Sequence, residues 1–250
     1  MKIAIISGAS RGLGKDMALR LAEKGTDVIL TYHSKADEAQ EVVRAIEVHG
    51  RKAVALQLDV SQSATFGAFA QSVKEALHTT WGVEKFDFLV NNAGVGIGGT
   101  ISEMTEEQFD QLCDIHFKGV FFLTQKLLPL MNDGGRIVNI SSGLTRFAMP
   151  GYGVYAAMKG AVEVLSRYQA KELGARGIAV NVVAPGAIET DFGGGMVRDN
   201  KHINEMIASQ TALGRVGKPE DIGGVVASLL SEDNRWVNAQ RIEASGGMFL

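Results

Sequence analysis

The sequence predicts an α/β fold: a single domain over residues 1–250, built on a doubly wound, mostly or wholly parallel sheet of about seven strands with helices on both faces. Three observations predict it. Short apolar runs such as IAII (3–6) and DVILTY (27–32) lack the alternation of a strand with one wet face, so both of their faces are buried. Segments with apolar residues at helical spacing stand between those runs. At 250 residues and 46% hydrophobic, the chain can bury a large core, and folds of this class commonly form one domain at this length.

The elements follow in order. IAII is the first strand and runs into SGASRGLG, after which MALRLAEKG has helical spacing and ends on a glycine suited to a C-cap. DVILTY is the second strand, DEAQEVVRAIEVHG the second helix closing on Gly50, and AVALQLDV (53–60) the third strand. FGAFAQSVKEAL is helical, FDFLVNNAG is a fourth strand leading into a turn, and 105–131 reads as one long helix. RIVNISS is the fifth strand, 153–174 the next helix and GIAVNVVAPG the sixth strand. Residues 186–217 are glycine-rich without a regular period, and long irregular segments inside compact domains often act as lids, so a substrate loop is expected there. EDIGGVVASLLS is the last helix and QRIEA a short last strand. No tandem repeat or low-complexity tract interrupts the pattern.

Composition narrows the function. A net charge of -3 argues against nucleic acid as a partner. No window offers about 18 uninterrupted apolar residues, and the apolar start is too short for a signal-peptide core, so no membrane partner is expected. The lone Cys113 excludes an intramolecular disulfide and fits a reducing compartment; a cytoplasmic location is expected. Cys113 and His116, near Asp110 and Asp114, fall short of a metal-ligand pattern, as do His33, His49, His78 and His202, and no metal is expected.

Gly8, Gly12 and Gly14 sit where a strand turns into a helix, with Ser10, Arg11 and Leu13 between them. Without side chains the backbone can approach a pyrophosphate closely, and the free N–H groups and the helix dipole favour its charge. The spacing is G-x-x-x-G-x-G, which departs from the commoner dinucleotide fingerprint. An NAD site usually ends its second strand on Asp or Glu to bind the ribose 2'-hydroxyl, whereas a 2'-phosphate needs cationic donors. Here that strand runs into His33, Ser34 and Lys35, with Arg11 in the glycine turn and no acid before Asp37. NADP(H) is therefore the expected cofactor, with NAD(H) the alternative.

Tyr155 and Lys159 stand at i and i+4, one turn apart on a helix face. A positive charge close to a phenol favours the phenolate and lowers a pKa that is ordinarily about 10. Such a group can exchange a proton with an alcohol or carbonyl oxygen, and Ser142 could supply a second hydroxyl.

With these motifs in place, the sequence resembles the short-chain dehydrogenase/reductase family, among its members of the 3-oxoacyl-[acyl-carrier-protein] reductase type. SGASRGLG (7–14), LDV (58–60), NNAG (91–94), Ser142 thirteen places before Tyr155, YAAMK (155–159), NVVAPGAIET (181–190) and SGGM (245–248) carry the resemblance across nearly the whole chain. The resemblance implies a Rossmann fold in which Asp59 and Val60 contact the adenine and Asn91, Ala93 and Gly94 line the cofactor and brace the fourth strand. It further implies that Ser142 orients the substrate oxygen, Tyr155 exchanges the proton, and Lys159 holds the nicotinamide ribose while lowering the tyrosine pKa. Pro185, Gly186, Ile188 and Thr190 would fix the nicotinamide carboxamide.

Two positions depart from the family pattern. Ser7 replaces a usual threonine, with little consequence expected because both carry a hydroxyl. His116 stands where the family has an asparagine said to stabilise a helix kink and a water linking the lysine to solvent; a neutral histidine can also donate and accept hydrogen bonds, so His116 is a candidate for the proton relay, the alternatives being a poorer fit that slows turnover and a packed histidine with no catalytic part. AAMKGAVEVLSRYQA and GVFFLTQKLLPLM are apolar on more than one face, which predicts a second covering surface; a homotetramer is expected, as is common in the family. Phe147, Met149, Tyr152, Phe192 and Met196 suggest a pocket for a substrate with an apolar portion. The expected activity is hydride transfer between NADP(H) and a small-molecule ketone, 3-oxoacyl thioester or secondary alcohol; the alternative is a weakly active or inactive dinucleotide sensor of the same fold.

Overall fold

Residues 1–250 are described by a computed structural model. In chain order the elements are β1 (Lys2–Ile6), α1 (Gly12–Glu23), β2 (Thr26–Tyr32), α2 (Ala36–Val48), β3 (Ala53–Gln57), α3 (Phe66–Ala76), β4 (Phe86–Asn91), α4 (Glu106–Cys113), α5 (Gly119–Leu127), β5 (Met131–Ile140), α6 (Gly153–Leu173), β6 (Ala179–Pro185), α7 (Met196–Asp199), α8 (Lys201–Ser209), α9 (Pro219–Leu229) and β7 (Arg241–Ala244). The seven strands form one sheet in the order β3-β2-β1-β4-β5-β6-β7, and every pairing is parallel.

The continuous apolar strands have a direct cause. Successive side chains point to opposite faces, and in β1 Ala4 and Ile6 enter one core while Ile3 and Ile5 enter the other. The first core is closed by Met17, Ala18 and Leu21 of α1, Val42 and Ile46 of α2, and Ile222 and Val226 of α9. The second is closed by Phe66, Phe69 and Val73 of α3, Leu123 and Leu127 of α5, and Ala170 of α6. Strand order reverses between β1 and β4, and at such a switch point the loops leaving the carboxyl ends diverge and open a crevice.

Two expectations are corrected and one is refined. The long helix over 105–131 runs unbroken from Glu106 but changes its winding: α4, capped by Thr105 and Gln108, widens into a π-helical turn at Asp114–Lys118, continues as α5 and tightens into a 3-10 turn at Leu128–Leu130 before β5 begins at Met131. Close packing accompanies the wide turn, since a Cβ on Gly119 would lie 2.5 Å from the Val60 carbonyl oxygen. The third strand ends at Gln57 rather than Val60, because the Asp59 carboxylate accepts hydrogen bonds from the Ser61 amide (2.9 Å) and hydroxyl (2.7 Å) and turns the chain. Residues 186–217 are not irregular throughout. They contain α7 and α8; Asn200 caps α8 by accepting from the Ile203 amide at 3.1 Å, and Ile203, Ile207 and Val197 turn inward on Val216 and Met248 in a third, small core. The helical period there is hidden by Gly193, Gly194 and Gly195, three consecutive residues with positive φ.

Candidate active site

At the carboxyl end of β1 the chain turns through Gly8 and enters α1 at Gly12. The first-turn amides of α1 have no side-chain cap and no acid beside them, which is the arrangement a phosphate completes. The glycines are required by space: a Cβ on Gly8 would lie 2.8 Å from the Ala93 Cα, and one on Gly14 would run into the Gly8 carbonyl. The Ser7 hydroxyl accepts from the amides of Asn92 and Ala93, both at 3.0 Å, and so holds the turn as a threonine hydroxyl would. These residues fit a dinucleotide pyrophosphate over Gly8–Gly14, with Ser10, Arg11 and Leu13 in the same turn.

Of the groups expected around a 2'-phosphate, His33 and Lys35 follow the end of β2, whereas Arg11 stands at the N-cap of α1. His33 Nε2 lies 3.5 Å from Asp59 Oδ2, Lys35 pairs with Glu38 at 3.8 Å, and Arg11 pairs with Asp191 at 3.5 Å. The Lys35 and Arg11 pairs are substantially exposed, so each is weak and leaves its cation free to exchange partners. Ser34 lies between His33 and Lys35, and Val60 follows Asp59.

Asn91 braces the fourth strand, as expected. It is buried and donates to Thr124 Oγ1 (3.0 Å) and Asn139 Oδ1 (2.7 Å), so it braces β4 against α5 and β5. The residue that touches the glycine turn is Asn92, whose side chain donates to the carbonyls of Ser7 (2.9 Å) and Gly8 (3.0 Å). The doubled asparagine at the end of β4 was the available signal, and only the second is at the turn. Ala93 and Gly94 follow. At the far end, Gly186 packs where a Cβ would meet Ser245 Cα at 2.9 Å, and Thr190 lies beside Gly12. Ile188 pairs with Gly217. The Pro185–Thr190 turn therefore runs from Ser245 to the glycine turn.

Tyr155 and Lys159 lie on one face of α6 and are both buried. The Lys159 ammonium donates to the Ile140 carbonyl (2.8 Å) and stands over the Tyr155 ring, 5.7 Å from its centroid. The expected acidic phenol is not found. Burial pushes Tyr155 up to about 12, with the Ser142 hydroxyl beside it acting in the opposite sense, and burial pulls Lys159 down to about 8. Desolvation outweighs charge proximity here because it penalises both charged forms. Ser142 Oγ accepts from the Leu144 amide at 3.2 Å, leaving its own proton free to donate. The neighbouring Ser141 is buried and donates to Glu163 at 2.7 Å.

His116, on the π-helical turn, is fully buried. Its Nε2 lies 2.8 Å from the Val95 carbonyl, which selects the Nε2–H tautomer, and Nδ1 is buried without a partner. Burial, then the nearby Lys159 charge, lowers its pKa to about 3. No three His, Cys, Asp or Glu side chains converge on a common point. Phe192 packs at 5.8 Å from Tyr155, ring to ring, and Phe147, Met149 and Val197 line the small core beneath α8.

The chain is similar to known proteins along nearly its whole length. The family described as Enoyl-(Acyl carrier protein) reductase matches residues 8–249. An uncharacterized oxidoreductase of Methylorubrum extorquens is 41% identical over 247 residues, covering 99% of this chain and 97% of that protein. The 3-oxoacyl-[acyl-carrier-protein] reductase FabG of Staphylococcus epidermidis is 36% identical over 251 residues, covering 100% and 99%. The solved structure of the angucycline C-6 ketoreductase LanV with bound NADP superimposes with a TM-score of 0.94 at 37% identity, covering 99% of this chain and 95% of that one.

Proposed function

The chain belongs to the short-chain dehydrogenase/reductase family of oxidoreductases, and from that premise we propose that it is an NADP(H)-dependent ketoreductase whose substrate carries its carbonyl on an apolar skeleton. The observation that carries the reading is the convergence of Ser142, Tyr155 and Lys159 at the carboxyl edge of the sheet, between a phosphate-type turn and the Pro185–Thr190 turn. Bound NADPH would supply the hydride. Tyr155, protonated throughout the neutral range because of its burial, gives its proton to the substrate oxygen. Ser142, its acceptor side engaged by Leu144, turns its O–H toward the same oxygen. Lys159 returns a proton to the phenolate and holds the ribose.

His116 serves that relay as a hydrogen-bond acceptor. With a pKa of about 3 it carries no charge near neutrality, so its unpartnered Nδ1 receives a hydrogen bond on the path from Lys159 outward without itself taking the proton. Arg11, His33, Ser34 and Lys35 are the groups for the 2'-phosphate. LanV, a similar structure with bound NADP, supports this cofactor, and its action as an angucycline ketoreductase supports a ketone on an apolar skeleton, as do Phe147, Met149, Phe192 and Met196. Exposed Phe109, Phe121, Val164 and Tyr168 on α4, α5 and α6 support a homotetramer using those helices. No helix is long and apolar enough to cross a membrane, and we place the protein in the cytoplasm.

The test is NADPH oxidation over a panel of ketones and β-ketoacyl thioesters, with Tyr155→Phe as control. Tyr155→Phe is expected to lower kcat about 10²–10⁴-fold, the scale of general acid catalysis, while still binding NADPH. Cofactor binding with no turnover of any carbonyl by the unsubstituted chain would instead establish a sensor.

A further inference from the structure

One turn beyond Lys159 on the same face of α6 stands Glu163, a residue the reaction above does not use. Its side chain is 15% exposed, and Oε1 accepts from the Arg241 guanidinium at 2.8 Å. The same oxygen accepts from the Ser141 hydroxyl at 2.7 Å and the Thr145 hydroxyl at 2.7 Å. Ser141 and Thr145 flank Ser142 on either side, so one carboxylate oxygen holds both ends of the segment that carries the candidate hydroxyl. Arg241, on the edge strand β7, reaches the same segment: its Nη2 donates to the Ser142 carbonyl (3.3 Å) and to Thr145 Oγ1 (3.0 Å), and its Nη1 donates to Glu243 (2.9 Å). Arg146 completes the frame with two bonds to Glu243, at 2.8 and 2.7 Å.

We infer that Glu163 is a positioning residue that sets Ser142 relative to Tyr155, by tying the Ser142 segment to the helix that carries Tyr155 and Lys159. The inference rests on the role given to Ser142 above. Positional tolerance is the physical reason. Ser142 leaves β5 on a short turn within which its side chain is held by the Leu144 amide, while Tyr155 is fixed by a 21-residue helix. A hydroxyl that must donate to the oxygen receiving the tyrosine proton has to keep a near-constant distance from that phenol, and misplacement by about 1 Å can cost up to about 10²-fold in rate. Three charge-assisted hydrogen bonds to a single carboxylate oxygen supply that constraint, and the cation at Arg241 allows the carboxylate to sit in a largely buried position.

A double-mutant cycle tests this, because residues that act as one unit have non-additive effects. Glu163→Ala alone is expected to lower kcat for ketone reduction about tenfold with the NADPH Kd unchanged, and to have less than about a twofold effect when combined with Ser142→Ala. Glu163→Gln, which keeps an acceptor oxygen at the same reach, is expected to recover most of the loss. Should Glu163→Ala not fold, Glu163→Asp, one methylene shorter, takes its place in the cycle. Equal losses with and without the Ser142 hydroxyl, or a parallel weakening of NADPH binding, would overturn the inference and leave the proposed reaction standing. If Ser142→Ala itself leaves kcat unchanged, the reading of the reaction fails first and this inference with it.

Discussion

His116 meets Tyr155 edge to face, with ring centroids 5.0 Å apart and planes at 87°. The imidazole is thereby packed into the site as a neutral ring, and its cost appears in acid. In the folded chain its pKa is about 3 against an ordinary 6.5. Below pH 6.5 the unfolded chain binds a proton that the folded chain refuses until about pH 3, so the unfolded state holds more protons and stability falls with pH across that window. Its full extent is on the order of a few kcal/mol. His116→Asn removes this contribution. Urea unfolding at pH 7 and pH 4.5 is expected to show a smaller acid loss for the variant than for the unsubstituted chain; equal losses would mean the imidazole is protonated in the fold.

Lys159 sets an alkaline limit. Burial brings its pKa down to about 8, whereas Tyr155 at about 12 stays protonated, so the charge lost first on raising pH is the lysine's. The pH profile of kcat/KM for ketone reduction, which reports free-enzyme groups, should fall above about pH 8. Lys159→Arg should move that limb upward, since a guanidinium stays charged. A limb unchanged in the arginine variant would assign it to another group.

Gly94 and His116 are a matched pair. A Cβ on Gly94 would lie 2.7 Å from His116 Cε1, and the ring cannot swing away because it is buried and bonded to Val95. Gly94→Ala should cost about 1–3 kcal/mol, as overpacking typically does, read as a drop in Tm. The same substitution should cost less in a His116→Ala background, where the obstacle is gone.

Cofactor choice is expected to follow Arg11 and Lys35. Arg11→Ala and Lys35→Ala should each lower the ratio of NADPH to NADH in kcat/KM about tenfold, since charge-assisted bonds to a phosphate contribute about 1.5–3 kcal/mol, reduced here by solvent exposure. Both effects should shrink at high salt. Unchanged ratios would place the 2'-phosphate elsewhere.

The alternation of strands and helices, the glycine turn and the Tyr155–Lys159 spacing were legible in the sequence because each is a local pattern with one physical reading. What was not legible depends on partners distant in sequence. The shifts of Tyr155 and Lys159 come from burial by the rest of the fold, so charge proximity alone gives the wrong sign for the phenol. The division of labour between Asn91 and Asn92 follows from which face of the sheet each side chain takes, Asn91 standing in register with Asn139 of β5. The π-helical turn at Asp114–Lys118 stands where Gly119 packs on Val60. The helix α8 was masked by the three glycines before it, although Asn200 marked its start. Glu163 gave no signal, because its partners Arg241 and Ser141 lie 78 and 22 residues away.

Tyr155, Lys159 and Glu163 recur at every fourth residue of α6, and a helix turns by about 100° per residue. Deleting or inserting one residue between Tyr155 and Glu163 would therefore swing the carboxylate a quarter-turn or more out of line. The stretch is locked in length. Residues 186–217 have the opposite character: Gly193, Gly194 and Gly195, all at positive φ, leave their spacing set by turns rather than by a helical period.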